Sequence, residues 1–247
     1  MFRDEVITRV FGSLYELCEA TAQQIVNEAA KAMYTKGNFS LVLSGGTTPR
    51  KVYQFLSTLH RDEIEWEHTF LVFGDERLVP PDHAESNYRM VKETLLDHIS
   101  IPEANVLRIN MDAENPCEDY ARRIREVFAL RNGEFPKFDM TLLGMGEDGH
   151  TASLFPKSPA LQERESIAIS VHAAGAAISD RVSLTLPAFN NSRMIIFLIN
   201  GTNKAKVVAD VFDNPDCNYP AKNIKPLDGE LYWFLDLEAS ALLESIM

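Results

Sequence analysis

The apolar residues of this chain alternate between two spacings. Leu14, Leu17, Cys18, Ala22, Ile25, Val26 and Ala29 recur at the period of one helix face and predict a helix over 13–36. Ser13 followed by Glu16 has the form of a capping box at its start, and Gly37-Asn38 stops it. Short β-rich runs then appear at 39–43 (FSLVL), 69–73 (TFLVF), 106–109, 138–143, 167–171, 182–186, 194–199 (MIIFLI) and 231–235. The run 194–199 is the most apolar of all and is expected to be a central strand covered on both faces. Helical spacing returns at 51–59, behind a Pro49 placed where a first turn would begin, and at 85–99, 116–131 and 202–212. A closing helix is expected over 237–246, after a loop-rich stretch at 213–226.

Strands alternating with helices predict an α/β fold: a doubly wound, largely parallel sheet with helices on both faces. No internal repeat, low-complexity tract or linker interrupts the pattern, so residues 1–247 are expected to form a single domain.

Composition narrows the function classes. With 24 basic and 36 acidic side chains the net charge is −12, which argues against nucleic acid or an anionic membrane as partner. An anionic substrate would need a local cationic pocket. Cys18, Cys117 and Cys217 are far apart and odd in number, which fits neither a disulfide framework nor a zinc site. The opening MFRDEVITRVF has no apolar core of a signal peptide, and no run of 18 apolar residues occurs. These features point to a reduced, cytoplasmic protein.

Candidate chemistry collects at the ends of the predicted strands, where α/β folds bind ligands. The central stretch is 142–156, LLGMGEDGHTASLFP, where an apolar run gives way to glycines, two acids, a histidine and small hydroxyl residues. Asp148 beside His150 offers a carboxylate that would fix the imidazole tautomer and raise its basicity, the requirement for a general base near neutral pH. The plainer reading is a structural loop histidine. Residues 144–149 also match GxGxxG, but the two carboxylates inside it would repel a pyrophosphate, and Pro156 and Pro159 disfavour the helix that should follow. Ser44, Gly45, Gly46, Thr47, Thr48 and Pro49 form a glycine-rich strand-to-helix turn whose backbone N–H groups and hydroxyls suit a phosphate. A plain turn is the alternative. Asp75 and Arg77, in Asp75-Glu76-Arg77 after the strand at 69–73, can both face a cleft on extended backbone, or form a surface ion pair. Arg181 and Lys204 follow late in the chain, a fork and a point charge for phosphate if not solvated surface charges.

Together these segments resemble the 6-phosphogluconolactonase family. The resemblance runs through SGGTTP at 44–49, DER at 75–77, ESNY at 85–88, GMGEDGHTASLFP at 144–156, RVSLTLPAFN at 181–190, GTNKA at 201–205 and WFLDLEA at 233–239. Thr47 and Lys157 stand where the family more often carries Ser and Gly. The resemblance implies a fold shared with glucosamine-6-phosphate deaminases and ribose-5-phosphate isomerases. It also implies hydrolysis of 6-phosphoglucono-δ-lactone without metal or organic cofactor. By the same resemblance His150 is the base that activates water, Asp148 its partner, and Asp75 and Arg77 line the sugar site. Residues 44–48 with Arg181 and Lys204 hold the phosphate, and any of the three cations can serve the carbonyl oxygen. The only partner expected is the small sugar-phosphate lactone, with a monomer favoured.

Two rival readings share the motifs: a deaminase, and a non-catalytic sugar-phosphate sensor. The sensor would have no use for Asp148 and His150. The deaminase loop runs DGHIAFNEP, with a glutamate before the proline that assists ring opening. Here Phe155 occupies that place, and a phenyl ring can neither accept nor deliver a proton.

Overall fold

A computed structural model describes residues 6–243. In chain order its elements are β1 (Val6–Phe11), α1 (Leu14–Lys36), β2 (Phe39–Leu43), α2 (Thr47–Thr58), β3 (Thr69–Phe73), β4 (Asp75–Arg77), α3 (Asn87–Thr94) and β5 (Val106–Leu107). There follow α4 (Pro116–Val127), β6 (Met140–Leu143), β7 (Ala168–His172), β8 (Asp180–Leu184), α5 (Leu186–Asn190), β9 (Met194–Ile199), α6 (Ala205–Asp213) and β10 (Glu230–Asp236). Seven strands form one parallel sheet in the order β1-β10-β9-β6-β2-β3-β5. Every residue of β2, β6 and β9 is buried, as expected of strands covered on both faces. From β2 the chain works outward through β3 to β5; from β6 it works the other way, through β9 to β10. The winding therefore reverses between β2 and β6, and the loops leaving their carboxyl ends open a crevice.

Local chemistry sets the ends of the helices. At α1 the Ser13 hydroxyl accepts from Glu16 N–H at 3.2 Å, while the Glu16 carboxylate reaches one residue further back, to Gly12 N–H at 2.9 Å. Gly37 closes the helix at φ 74°, donating its N–H to Met33 O at 2.9 Å. The α2 helix begins two residues before Pro49, because Gly46 at φ 107° caps it and Pro49 falls inside the first turn.

Several expectations need correction. The segments near 168 and 182 are strands, but they leave the parallel sheet. With β4 they form a separate antiparallel sheet, β4-β8-β7. Gly74 makes this possible: its N–H bonds to Leu43 O at 2.9 Å and its carbonyl accepts from Leu184 N–H at 2.8 Å. One extended segment thus passes from the first sheet into the second. A Cβ at Gly74 would lie 3.1 Å from Leu43 O. β8 ends at Leu184 instead of residue 186, because Leu186 and Pro187 open α5. The edge strand β1 was not expected from the sequence; its irregular burial lacks a period of two, and its order comes from backbone pairing with β10. α3 is shorter than the helix expected over 85–99, with Ser86 accepting from Arg89 N–H at its start. α4 stops at Val127, before Ala129 at φ 50°. Residues 237–242 form turns, with Leu237 N–H engaged by Phe11 O and Ala239 N–H by Asp236. The remainder of the expected closing helix lies outside the described residues. No helix among the described residues is long and apolar enough to cross a membrane.

Candidate active site

At the carboxyl end of β2 the fully buried Tyr53 hydroxyl accepts from Ser44 N–H at 2.9 Å and donates to Ser44 O at 2.8 Å. Both backbone groups of Ser44 are therefore fixed by one side chain of the following helix. Gly45 lies so close to Asn87 that a Cβ would sit 2.1 Å from its Oδ1. This glycine is required by the approach of a second chain segment rather than by a turn. Beyond it, Gly46, Thr47 and Thr48 open α2, where unpaired N–H groups and the helix dipole favour an anion. The Thr48 hydroxyl bonds to Asn200 Oδ1.

The β6 loop presents the imidazole. His150 Nδ1 is 2.6 Å from Asp148 Oδ1, which also accepts His150 N–H at 3.2 Å. Partial burial disfavours an ionised Asp148, but the hydrogen bond and charge of His150 outweigh it and hold the carboxyl below its usual range. Gly146 makes the pairing possible, since a Cβ there would lie 2.1 Å from His150 Nδ1. Phe155 lies against the imidazole with ring centroids 4.6 Å apart and planes tilted by 36°. Asn203 Nδ2 bonds Glu147 Oε1 at 2.6 Å, tying this loop to the turn that carries Lys204.

The second sheet supplies the opposite wall. Asp75 and Arg77 project to one side of β4 and Glu76 to the other, as the alternation of a strand requires. Asp75 accepts from the buried Ser153 hydroxyl at 2.6 Å and from Asn87 Nδ2 at 3.2 Å. Arg77 donates to Glu85 O at 2.7 Å and Asn87 Oδ1 at 3.1 Å, and its Nε is buried without a partner among the described residues. Glu76 is 2 % exposed and accepts from Arg77, Asn87 and Tyr88 N–H and from the Ser86 hydroxyl, so it caps α3. Burial outweighs these bonds and raises its carboxyl pKa. Arg181, opposite Arg77 in the β4–β8 register, stands over the Phe155 ring at 5.5 Å. Burial, then the neighbouring Arg77, lower its pKa.

The walls enclose a cavity of about 250 Å³ into which Ser44, Gly45, Asp75, Arg77, His150, Arg181 and Lys204 all face. Seven of the residues singled out from the sequence are thus brought together from five separate segments. Gly46, Thr47 and Thr48 stand outside that lining at the start of α2, and Asp148 stands behind His150. Asn87, Glu76, Ser153 and Tyr53 were missed. Asn87 and Glu76 lie inside ESNY and DER, but nothing in either motif says that one stitches to the other. Among the described residues no cluster of three or more His, Cys, Asp or Glu is arranged to hold a metal ion.

The family of glucosamine-6-phosphate isomerases and 6-phosphogluconolactonases matches residues 13–233. The chain belongs to this family. Over 239 residues it is 39% identical to the 6-phosphogluconolactonase of Rattus norvegicus, covering 95% of this chain and 92% of that one. The solved 6-phosphogluconolactonase from Trypanosoma cruzi superposes with a TM-score of 0.86 at 28% identity, covering 98% of each chain. A monomeric glucosamine-6-phosphate deaminase of 21% identity superposes with a TM-score of 0.80 over 96% of this chain and 100% of that one, which shows a shared fold alone. Family membership accounts for the doubly wound sheet and for motifs placed at the ends of strands far apart in sequence.

Proposed function

We propose that this chain hydrolyses 6-phosphoglucono-δ-lactone to 6-phosphogluconate, the lactonase step of the pentose phosphate pathway. The observation that carries the reading is the Asp148–His150 pair, 2.6 Å apart, on the wall of a cavity that also takes in Arg77, Arg181 and Lys204. With Asp148 accepting from Nδ1–H, the Nε2 lone pair of His150 is free to take a proton from water. The hydroxide formed attacks the lactone carbonyl, and a cation of the cavity stabilises the tetrahedral oxyanion. Collapse breaks the ring C–O bond, and the imidazolium returns its proton to the departing oxygen. The product acid then ionises, releasing one proton per turnover.

The substrate phosphate lies at the amino end of α2, held by residues 44–48, Arg181 and Lys204. Asp75 and Arg77 line the sugar. This local cationic surface accounts for an anionic substrate in a chain of net charge −12. Phe155 beside the base favours lactonase over deaminase, since the ring takes the place of the proton-relaying glutamate. The proposed enzyme is a single-domain, cytoplasmic protein that needs no metal or organic cofactor and no nucleic-acid or membrane partner. The decisive experiment follows proton release after adding freshly made lactone, corrected for spontaneous hydrolysis, beside ammonia release from glucosamine 6-phosphate. Accelerated proton release with no ammonia is expected. Ammonia at a comparable rate, or no acceleration, would overturn the assignment.

A further inference from the structure

A second cavity, of about 670 Å³, lies beside the catalytic loop and shares no lining residue with the first. Its charged lining is of one sign: Lys157, Arg164, Lys222 and Lys225, with no acid among them. In a chain with 36 acidic and 24 basic side chains this is the reverse of the overall balance. Arg164 Nη1 donates to Leu161 O at 2.7 Å and Glu163 O at 2.8 Å, and Lys222 Nζ donates to Asn214 O at 2.6 Å. Backbone carbonyls thus position these two cations without neutralising them. Lys157 adds an independent sign. Its φ is 63°, a left-handed conformation that glycine adopts freely and a lysine does not. A side chain is kept here at the expense of backbone strain, and it stands on the cavity wall.

The geometry points to a second anion site: this cavity binds a small molecule bearing two or more phosphate groups. Its size is that of a small-ligand pocket. Four cations on three separate segments match several charges distributed along a ligand better than one. Binding here would also reach the reaction. Tyr219 packs on Gly149, where a Cβ would lie 2.3 Å from the ring, and Ala221 N–H donates to Gly149 O at 3.0 Å. Gly149 sits between Asp148 and His150. An anion bridging Lys157 to Lys222 and Lys225 therefore braces the turn that presents the base.

Inorganic pyrophosphate is the probe, titrated calorimetrically into the full chain carrying Lys204→Ala, which weakens anion binding at the first cavity. Saturable binding is expected to remain, and adding Lys157→Gly with Lys225→Ala should weaken it by at least about tenfold, the loss of two charge-assisted contacts. Lys157→Gly alone separates binding from folding. It should raise the melting temperature without pyrophosphate, because glycine relieves the strained φ, yet shrink the rise that pyrophosphate produces. Affinity within about twofold of the Lys204→Ala parent in the added variants, or no saturable binding up to about 10 mM, would overturn the proposal.

Discussion

Phe155 stands half-buried between two groups that the proposed reaction needs in fixed positions. Its ring is 4.6 Å from that of His150, and the Arg181 guanidinium carbon is 5.5 Å from its centroid. Phe155→Ala removes both contacts together. A ring–ring contact contributes about 0.5–1.5 kcal/mol and a partly exposed cation–π contact about 0.5–1 kcal/mol. If that positioning is expressed in the transition state, the sum of about 1–2.5 kcal/mol lowers kcat/KM roughly 5- to 70-fold. The assay is corrected proton release on the lactone, with KM and kcat resolved and the melting temperature measured alongside. Phe155→Leu supplies the control: it keeps most of the volume and lacks the ring face. It should recover most of the thermal stability lost in the alanine variant and little of the activity. A leucine variant within about twofold of the parent in kcat/KM would reduce Phe155 to a space-filler and refute the argument.

His150→Ala should lower kcat by about 10²–10⁴-fold with little change in melting temperature, and turnover within a few-fold of the parent would remove it from the mechanism. Arg181→Ala or Lys204→Ala should raise KM by about 10- to 100-fold while unphosphorylated gluconolactone, a poor substrate, is almost indifferent; equal losses on both lactones would assign these residues to the fold. Gly146→Ala places a Cβ 2.1 Å from His150 Nδ1, so the ring must move. A displacement of that order should cost about 10²-fold in kcat in a protein whose circular dichroism is unchanged, and a fully active variant would show that the pairing is dispensable. Glu76 has its pKa raised above the usual 4.5, so the folded chain holds that proton more tightly than the unfolded one. Its contribution to stability is complete below about pH 4.5 and is lost as pH rises through the raised folded value. The urea midpoint of Glu76→Gln should therefore fall less steeply than the parent's over that window, and parallel curves would contradict the sign.

The parts of the fold legible in the sequence are those whose order is local. The run 194–199 declares itself by composition, and Ser13 with Glu16 marks a helix start without reference to distant residues. The same holds for the central loop, where Gly146, Asp148 and His150 make their contacts within five positions. Illegible were the features that depend on partners far along the chain. β1 has no periodicity of its own and is ordered by Leu231 through Asp236. The departure of 168–184 into a second sheet depends on Gly74, more than a hundred positions earlier in the latter part of that span, accepting from Leu184. Asn87 showed only as part of a helix start, yet it touches Asp75, Arg77 and the space above Gly45. Its role exists only once α3 is folded against β4.

The crossing at Gly74 has a consequence for how such an enzyme changes over generations. His150 and the turn at the amino end of α2 grow from the parallel sheet, whose central strands are buried at every position. Arg77 and Arg181 grow from the small antiparallel sheet, joined to the first through one glycine. Substitutions at the partly exposed positions of the hairpin at 168–184 can reshape one wall of the cavity without disturbing the strands that carry the other. A duplicated gene is therefore free to drift toward a different sugar phosphate by altering the small sheet, while the loop that carries Asp148 and His150 is inherited intact.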